Sequence, residues 1–176
     1  MQNDFISGSL GSKEARAIVP NVKNKIHEAV KNGDLIIYTR DTHFESYLHT
    51  REGQKLPVEH CISGTKGWRI PDELLPPGDY DKCGIIDKFT FGDLELPGII
   101  RSMVKAYNDG DDTIEEVELS GLCTDICVVS NALILKAAMY DRTEISVDAT
   151  CCAGVTPATH EAALTTMQMC QINVKR

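Results

Sequence analysis

Two cysteines stand four residues apart in the segment SGLCTDICVVSNA, which spans residues 120–132. The pattern predicts a strand that ends near Gly121 and a helix that follows it, so that Cys127 lies in the first helical turn. At this position the helix macrodipole and the free backbone N–H groups lower the pKa of a thiol. The same N–H groups can also stabilise an oxyanion. Cys127 is therefore a candidate nucleophile, although a packed helix cysteine fits the same pattern. Cys123 precedes the helix, where its backbone N–H rather than its thiol would act.

A lysine and an aspartate are further candidates for chemistry. Lys88 ends the apolar segment CGIID and could hold a nearby thiolate or carboxylate in its charged form. Asp4, in the opening segment MQNDF, could act as a general base. Each residue also has an ordinary interpretation, as a solvated lysine at a strand end and as a surface or capping aspartate.

Three of the five histidines fall in the segment of residues 40–61. Asp41 and His43 directly follow the apolar run DLIIYT, which allows a carboxylate and an imidazole to converge on one ion. His49 or His60 could complete the set from the loop. Mixed nitrogen and oxygen ligands suit Zn²⁺, Fe²⁺ or Mn²⁺. The other two histidines fall in predicted helices and are interpreted as structural.

Alternating strand-like and helix-like segments must position these side chains. The pattern predicts strands at 34–39, 83–87, 114–121, 144–149 and 172–174 and helices at 13–31, 124–139 and 157–170. Ser12 is the expected N-cap of the first helix, and Gly33 ends it. This alternation predicts an α/β fold whose parallel sheet is covered on both faces and binds ligands beyond the carboxyl ends of its strands. The length predicts a single domain over residues 1–176.

Composition limits the classes of partner. The net charge of −8 argues against a nucleic-acid or anionic-membrane surface. No apolar run approaches the roughly 18–20 residues that cross a bilayer. The opening residues lack the basic start and apolar core of a signal peptide. An odd number of cysteines, seven, favours reduced thiols, so we expect a cytoplasmic protein.

The segments MQNDF, DKFTFG and SGLCTDICVV resemble, in order, the three catalytic segments of the isochorismatase-like cysteine hydrolases. HCISGTKGW and VDATCCAGVT are similar to two further segments of that family, so the resemblance runs nearly end to end. It implies a three-layer α/β/α fold and a catalytic triad of Asp4, Lys88 and Cys127. It also implies a cis peptide at Leu122–Cys123 and an oxyanion hole formed by the N–H groups of Cys123 and Cys127.

The family's central first strand, which carries the catalytic aspartate at its end, has no counterpart before MQNDF. The resemblance therefore implies that the mostly parallel sheet of this chain has a gap where that strand would lie. Asp4 would then follow directly on the amino terminus.

Asp-x-His followed by a His-Cys dipeptide is similar to the nicotinamidase branch of the family, whose metal orients the pyridine nitrogen. This implies that Asp41, His43 and His60 hold a divalent metal, Zn, Fe or Mn, with His49 placed as a fourth ligand. The branch has a Trp-Pro shortly before His-Cys, whereas Leu56 occupies roughly the tryptophan's place here. Phe5 is a second candidate for the substrate pocket.

The resemblance implies an amidohydrolase that acts through a thioester, with nicotinamide as the expected small-molecule substrate and nicotinate and ammonia as products. Two alternatives stay open at this point. One is a hydrolase of ureido or carbamoyl compounds or of isochorismate, whose branches generally lack the metal site. The other is a non-catalytic binding domain. By analogy with the family we also expect a homo-oligomer.

Overall fold

The computed structural model describes residues 1–139 and 142–176. The described residues form five strands: β1 (Ile36–Asp41), β2 (Cys83–Lys88), β3 (Glu116–Leu122), β4 (Glu144–Ala153) and β5 (Asn173–Lys175). They also form seven α-helices: α1 (Asn3–Ile6), α2 (Lys13–Ala17), α3 (Val19–Asn32), α4 (Arg51–Lys55), α5 (Leu96–Tyr107), α6 (Val129–Ala138) and α7 (Pro157–Met169). None of these helices is long and apolar enough to span a bilayer.

Every pairing between these strands is parallel, and helices cover both faces. One apolar core packs α5, α6 and α7 against the strands through Ile100, Leu135, Val147 and Leu164. A second core packs α3 against the opposite face through Val22, Ile26, Cys151 and Ala153. The predicted three-layer α/β/α class is therefore confirmed.

The sheet is divided in two. β1 pairs only with β2, while β4 lies between β3 and β5, and β1 and β3 do not pair along their described lengths. The gap expected from the missing strand is thus present, between β1 and β3.

The predicted helix over residues 13–31 is two helices, α2 and α3, which meet at Ile18. Pro20 lies in the first turn of α3, the only part of a helix where its missing N–H costs nothing. Both predicted ends are confirmed. The Ser12 side chain accepts a hydrogen bond from the Ala15 N–H, and Gly33 ends α3 with a left-handed φ of 77°.

Helix α5 was absent from the sequence prediction, although Pro97 in its first turn and buried Ile100 are signals of a helix. β1 and β2 also extend further than predicted, to Asp41 and Lys88 themselves. The two candidate residues are therefore the last residues of adjacent strands, which fixes their relative positions.

Candidate active site

Asp41 and Lys88 are partners in the parallel register of β1 and β2, at the carboxyl edge of the sheet. Their side chains meet there, with Nζ of Lys88 donating to Oδ1 of Asp41 at 3.0 Å. Only 4% of Asp41 and 3% of Lys88 is exposed. Two charges buried this deeply require one another, because either one alone would be costly to desolvate.

All three N–H donors of the Lys88 ammonium have an acceptor. Besides Asp41, they contact the Thr90 carbonyl oxygen at 3.1 Å and the Cys127 Sγ at 3.5 Å. Burial alone would lower the pKa of Lys88, but its interactions with Cys127 and Asp41 outweigh this effect and raise the pKa. Lys88 therefore stays cationic and faces the sulfur of Cys127.

Cys127 lies in a π-helical turn, Thr124–Val128, that follows β3 and leads into α6. The carbonyl oxygen of Cys123 accepts from the N–H groups of Ile126 and Val128, each at 3.1 Å. Gly121, just before this turn, has a φ of 115°, a conformation that favours glycine. The peptide bond between Leu122 and Cys123 is cis, as the family resemblance implies.

Burial raises the pKa of the Cys127 thiol above its ordinary value. The Lys88 ammonium and a backbone hydrogen bond from Cys123 act in the opposite direction without cancelling this effect. The lowered pKa expected from a position in the first helical turn is therefore wrong. The thiol is partly buried, and its raised pKa favours the protonated form.

Asp4 lies beside this group but contacts other partners. Its Oδ2 accepts from the Cys61 N–H at 2.8 Å, and a Cβ on Gly67 would come within 2.1 Å of the same oxygen. Only a glycine at position 67 leaves room for the carboxylate. Across residues 1–139 and 142–176, Asp4 forms no hydrogen bond or ion pair with Lys88 or Cys127. Its role as the catalytic base therefore stays a prediction.

Four side chains, Asp41 among them, form one cluster of possible metal ligands. The donor atoms of Asp41, His43, Glu52 and His60 all lie within 4.8 Å of one another. Nε2 of His43 is 3.2 Å from Oδ2 of Asp41 and 3.6 Å from Oε1 of Glu52. Nε2 of His60 is 3.6 Å from the same Asp41 oxygen.

This group has the properties of a metal site. Nε2 of His43 is buried and has no hydrogen-bond partner among the described residues. Nδ1 of His60 lies 2.8 Å from the Val58 carbonyl oxygen, an arrangement that protonates Nδ1 and leaves the Nε2 lone pair for a ligand. Burial opposes ionisation of Asp41, but its interactions with His43 and His60 and the charge of Lys88 outweigh it and hold its pKa below the usual range. Two imidazoles and two carboxylates fit a divalent transition metal.

Glu52 rather than His49 joins this group. His49 is exposed and its side chain lies outside the four residues that converge. Glu52 lies in the first turn of α4, which the Thr50 side chain caps by accepting from the Gly53 N–H at 3.0 Å. Thr50 is a typical helix N-cap residue and could have indicated that a helix containing Glu52 follows. The sequence prediction missed this helix because it is only five residues long.

Aromatic side chains surround the converging groups. The ring of Phe5 meets that of His60 edge-on, with centroids 5.6 Å apart. Leu56 is exposed and contributes its carbonyl oxygen to a hydrogen bond from the Tyr47 hydroxyl. Phe44 and Phe89, which directly follow His43 and Lys88, are exposed and stacked with centroids 5.9 Å apart. Sequence reasoning did not single out this pair.

Comparisons with known proteins support the fold. Residues 1–175 match the model of the isochorismatase domain. The chain is 32% identical over 144 residues to an uncharacterised isochorismatase family protein, PncA of Bacillus subtilis (strain 168), covering 74% of this chain and 72% of that protein. Its fold is similar to the crystal structure of the nicotinamidase PncA from Bacillus subtilis, with a TM-score of 0.78 and 25% identity over 99% of this chain and 94% of that one.

Two further crystal structures share the architecture. The pyrazinamidase of Pyrococcus horikoshii in complex with zinc has a TM-score of 0.79 and 26% identity, covering all of this chain (100%) and 94% of that one. An N-carbamoylsarcosine amidase from Thermoplasma acidophilum has a TM-score of 0.75 and 24% identity, covering 100% of this chain and 91% of that one. The second likeness concerns the fold alone.

Proposed function

The chain belongs to the isochorismatase family of hydrolases, and we propose that it hydrolyses nicotinamide to nicotinate and ammonia through a thioester on Cys127. The observation that carries the proposal is a continuous path of contacts from Cys127 through Lys88 to Asp41, which also belongs to the four-residue donor group. The nicotinamidase and pyrazinamidase among the structural neighbours support a heteroaromatic amide as substrate.

The proposed reaction begins with loss of the thiol proton from Cys127, which Asp4 takes up. The thiolate, facing the Lys88 ammonium, attacks the amide carbon, and the N–H groups of Cys123 and Cys127 hold the resulting oxyanion. Asp4 returns the proton to the leaving nitrogen, so that the C–N bond breaks and ammonia departs. Asp4 then takes a proton from water, whose attack on the thioester releases the carboxylate and restores the thiol.

Asp41, His43, Glu52 and His60 are the residues that would hold a divalent metal, Zn, Fe or Mn. When bound, such an ion would supply a Lewis-acid site for a heterocyclic nitrogen. Asp41 and Lys88 connect the two parts of the site. Asp41 contacts the histidine side of the metal-ligand group, and Lys88 contacts the nucleophile Cys127. Nicotinamide fits this arrangement, because its planar ring carries a nitrogen that the metal would bind and a carboxamide that Cys127 would attack.

An ammonia-release screen tests the proposed function. We expect nicotinamide and pyrazinamide to be hydrolysed with kcat/KM of about 10⁴ M⁻¹s⁻¹ or more, the lower end of the usual enzymatic range. N-carbamoyl amino acids and biuret should be much poorer, because they lack a ring nitrogen that a metal held by these four residues would bind. Preferred turnover of a ureido compound, or no turnover of any amide, would contradict the proposal.

The metal ligands can be tested separately from activity. Glu52→Gln should weaken the affinity for Zn²⁺ by about 10-fold or more, because it removes one of two anionic donors. His49→Gln is the matched control on the same segment and should leave the affinity unchanged. Calorimetric titration of both variants with Zn²⁺, after treatment with a chelator, gives the comparison. Equal Zn²⁺ affinities for the two variants would mean that Glu52 is not a metal ligand.

A further inference from the structure

Asn131 is a buried polar side chain that the proposed mechanism does not use. It lies in α6, four residues after Cys127, and only 4% of it is exposed. A buried amide is tolerated when its donors and its acceptor are bonded, because burial removes the water that would otherwise bond to them. The partners of this amide therefore indicate what it does.

The amide of Asn131 joins the nucleophile's own backbone to a loop. Its Nδ2 donates to the carbonyl oxygen of Cys127 at 2.8 Å and to that of Phe91 at 3.1 Å. Its Oδ1 accepts from the Asp93 N–H at 2.9 Å. Both N–H groups and the oxygen of the amide thus have partners. Phe91 and Asp93 belong to the β2–α5 loop, residues 89–95, which is irregular along its whole length.

The β2–α5 loop carries one of the three acceptors of the Lys88 ammonium. That acceptor is the carbonyl oxygen of Thr90, at 3.1 Å from Nζ. Every side chain of the loop is half-buried or exposed, so burial in the core does not fix its position. Gly92 lies directly against α6, where a Cβ would be 2.6 Å from Cδ1 of Ile134 and 3.1 Å from Cβ of Ser130. Asn131 therefore bonds to the loop at the place where the loop and α6 meet.

Asn131 thus lies between two groups that face each other in the site. Nζ of Lys88 is 3.5 Å from the Sγ of Cys127. One side of the amide bonds to the backbone of Cys127, and the other side bonds to the loop that holds the ammonium through Thr90. Release of the loop would move the Thr90 carbonyl oxygen, and the ammonium would lose one of its three acceptors.

We propose that Asn131 is a positioning residue, which fixes the β2–α5 loop to the backbone of Cys127 so that the Lys88 ammonium faces the sulfur. This role rests on the proposed function, because it concerns the same nucleophile. A displacement of about 1 Å can cost about 10²-fold in rate even when the altered residue lies away from the chemistry. The hydrogen bonds described for Asn131 go to α6 and the loop and not to the metal-ligand group. Its loss should therefore lower kcat rather than raise KM.

Asn131→Leu tests the role by replacing the amide with an apolar side chain of similar size. The variant loses three hydrogen bonds without gaining a large cavity. We expect kcat for amide hydrolysis to fall by about 10–100-fold, with KM within about twofold of the wild-type value. Asn131→Ala should show the same division between kcat and KM, and it covers the case in which leucine disturbs the packing.

Two further substitutions in α6 are matched controls. Ser130 also donates to a carbonyl oxygen four residues earlier, that of Ile126 at 2.6 Å, and this bond does not involve the loop. Ser130→Ala should therefore keep kcat. Leu135→Ala removes a buried side chain one turn beyond Asn131 and destabilises the core. It should keep kcat as well, and urea unfolding compares the stability of all four variants.

The Lys88 ammonium gives a measurement that does not depend on catalysis. It is 3% exposed and its three N–H groups have acceptors, so its hydrogens should exchange with water slowly enough for a ¹⁵N-resolved NMR signal. Loss of the signal in Lys88→Arg assigns it. Exchange should become about 10-fold faster in Asn131→Leu, the scale on which loss of a hydrogen bond exposes a protected group, and stay unchanged in Ser130→Ala.

Three results would overturn the inference. One is wild-type kcat in both Asn131→Leu and Asn131→Ala. Another is an equal fall in kcat for Leu135→Ala, which would mean that any loosening of α6 lowers the rate. The third is unchanged exchange of the Lys88 ammonium in Asn131→Leu. A wild-type protein that hydrolyses no amide would contradict the proposed function, and the exchange measurement would still decide whether Asn131 fixes the ammonium.

Discussion

Replacing Cys127 with alanine is expected to lower kcat for nicotinamide hydrolysis by about 10⁴-fold or more, the scale on which loss of a covalent nucleophile acts in hydrolases. The sulfur lies 3.5 Å from the Lys88 ammonium, and no other cysteine has a hydrogen bond to that group among the described residues. KM should change little, because the donor group of Asp41 and the histidines is untouched. Steady-state assays of ammonia release give both values.

Two matched controls isolate the nucleophile. Cys123→Ala keeps the backbone N–H that the proposed oxyanion hole uses and should reduce kcat only modestly. Cys170→Ala removes an exposed thiol and should have no effect. Hydroxylamine added to the wild-type enzyme should divert the thioester to a hydroxamate, which the alanine variant cannot form. If Cys127→Ala retains most of its amidase activity, the thioester mechanism is wrong.

The raised pKa of Cys127 sharpens this prediction. A thiolate formed in advance would react rapidly with any alkylating agent, whereas a partly buried thiol with a raised pKa needs a base at the moment of attack. Rapid labelling of the free enzyme by iodoacetamide is therefore a poor test, because exposed Cys170 competes. Trapping of the acyl group depends on catalysis itself and separates the two thiols.

Strand ends were the part of the site that the sequence predicted best. Asp41, Lys88 and Cys127 were placed at the carboxyl edge because apolar runs precede them, and ligands bind at that edge of parallel sheets. The contact between Asp41 and Lys88 was not predicted, since it depends on the register of β1 against β2. Register follows from packing on both faces of a strand, which one strand's residues do not reveal.

Local environment was the part that the sequence could not supply. The position of Cys127 suggested a lowered pKa, and its burial reverses the direction. Glu52 lies in a helix of five residues, which is too short to show a periodic pattern. The sequence therefore did not indicate which way the Glu52 side chain points. Helix α5 lies outside every catalytic segment, yet its Ile100 belongs to the apolar core on one face of the sheet. Each miss arises from packing between elements distant in sequence.

Asp41→Asn is expected to have the widest effect of any single substitution, because one carboxylate serves two groups. Oδ1 accepts from the Lys88 ammonium at 3.0 Å, and Oδ2 lies 3.2 Å from Nε2 of His43. Loss of the charge leaves the Lys88 ammonium buried without its anion, a change that costs about 3–5 kcal/mol of stability in comparable buried pairs. It should also weaken binding of Zn²⁺ and lower kcat, since Lys88 is no longer fixed against Cys127.

Asp87→Asn is the matched control, because Asp87 pairs with Arg40 one step earlier in the same register. That pair is more exposed, at 38% for the Asp87 side chain, so its loss should cost only about 0–1 kcal/mol. Urea unfolding of the three proteins in chelator at pH 7 measures the difference. The two hydrogen bonds between the Gln2 side chain and the Asp41 backbone do not use the carboxylate, so the variant retains them.

The pH dependence separates an ionic role for Asp41 from a purely steric one. Its pKa is lower in the folded chain than the value of about 4 in an unfolded one, so folding favours the ionised form. The stability that the carboxylate contributes is therefore fully present above about pH 4 and is lost as the pH falls through the folded pKa. The difference in unfolding free energy between wild type and Asp41→Asn should therefore be smaller at pH 3 than at pH 5. If the difference in unfolding free energy is as large at pH 3 as at pH 5, asparagine destabilises the protein through its packing. The interaction between Asp41 and Lys88 would then not depend on the charge of Asp41.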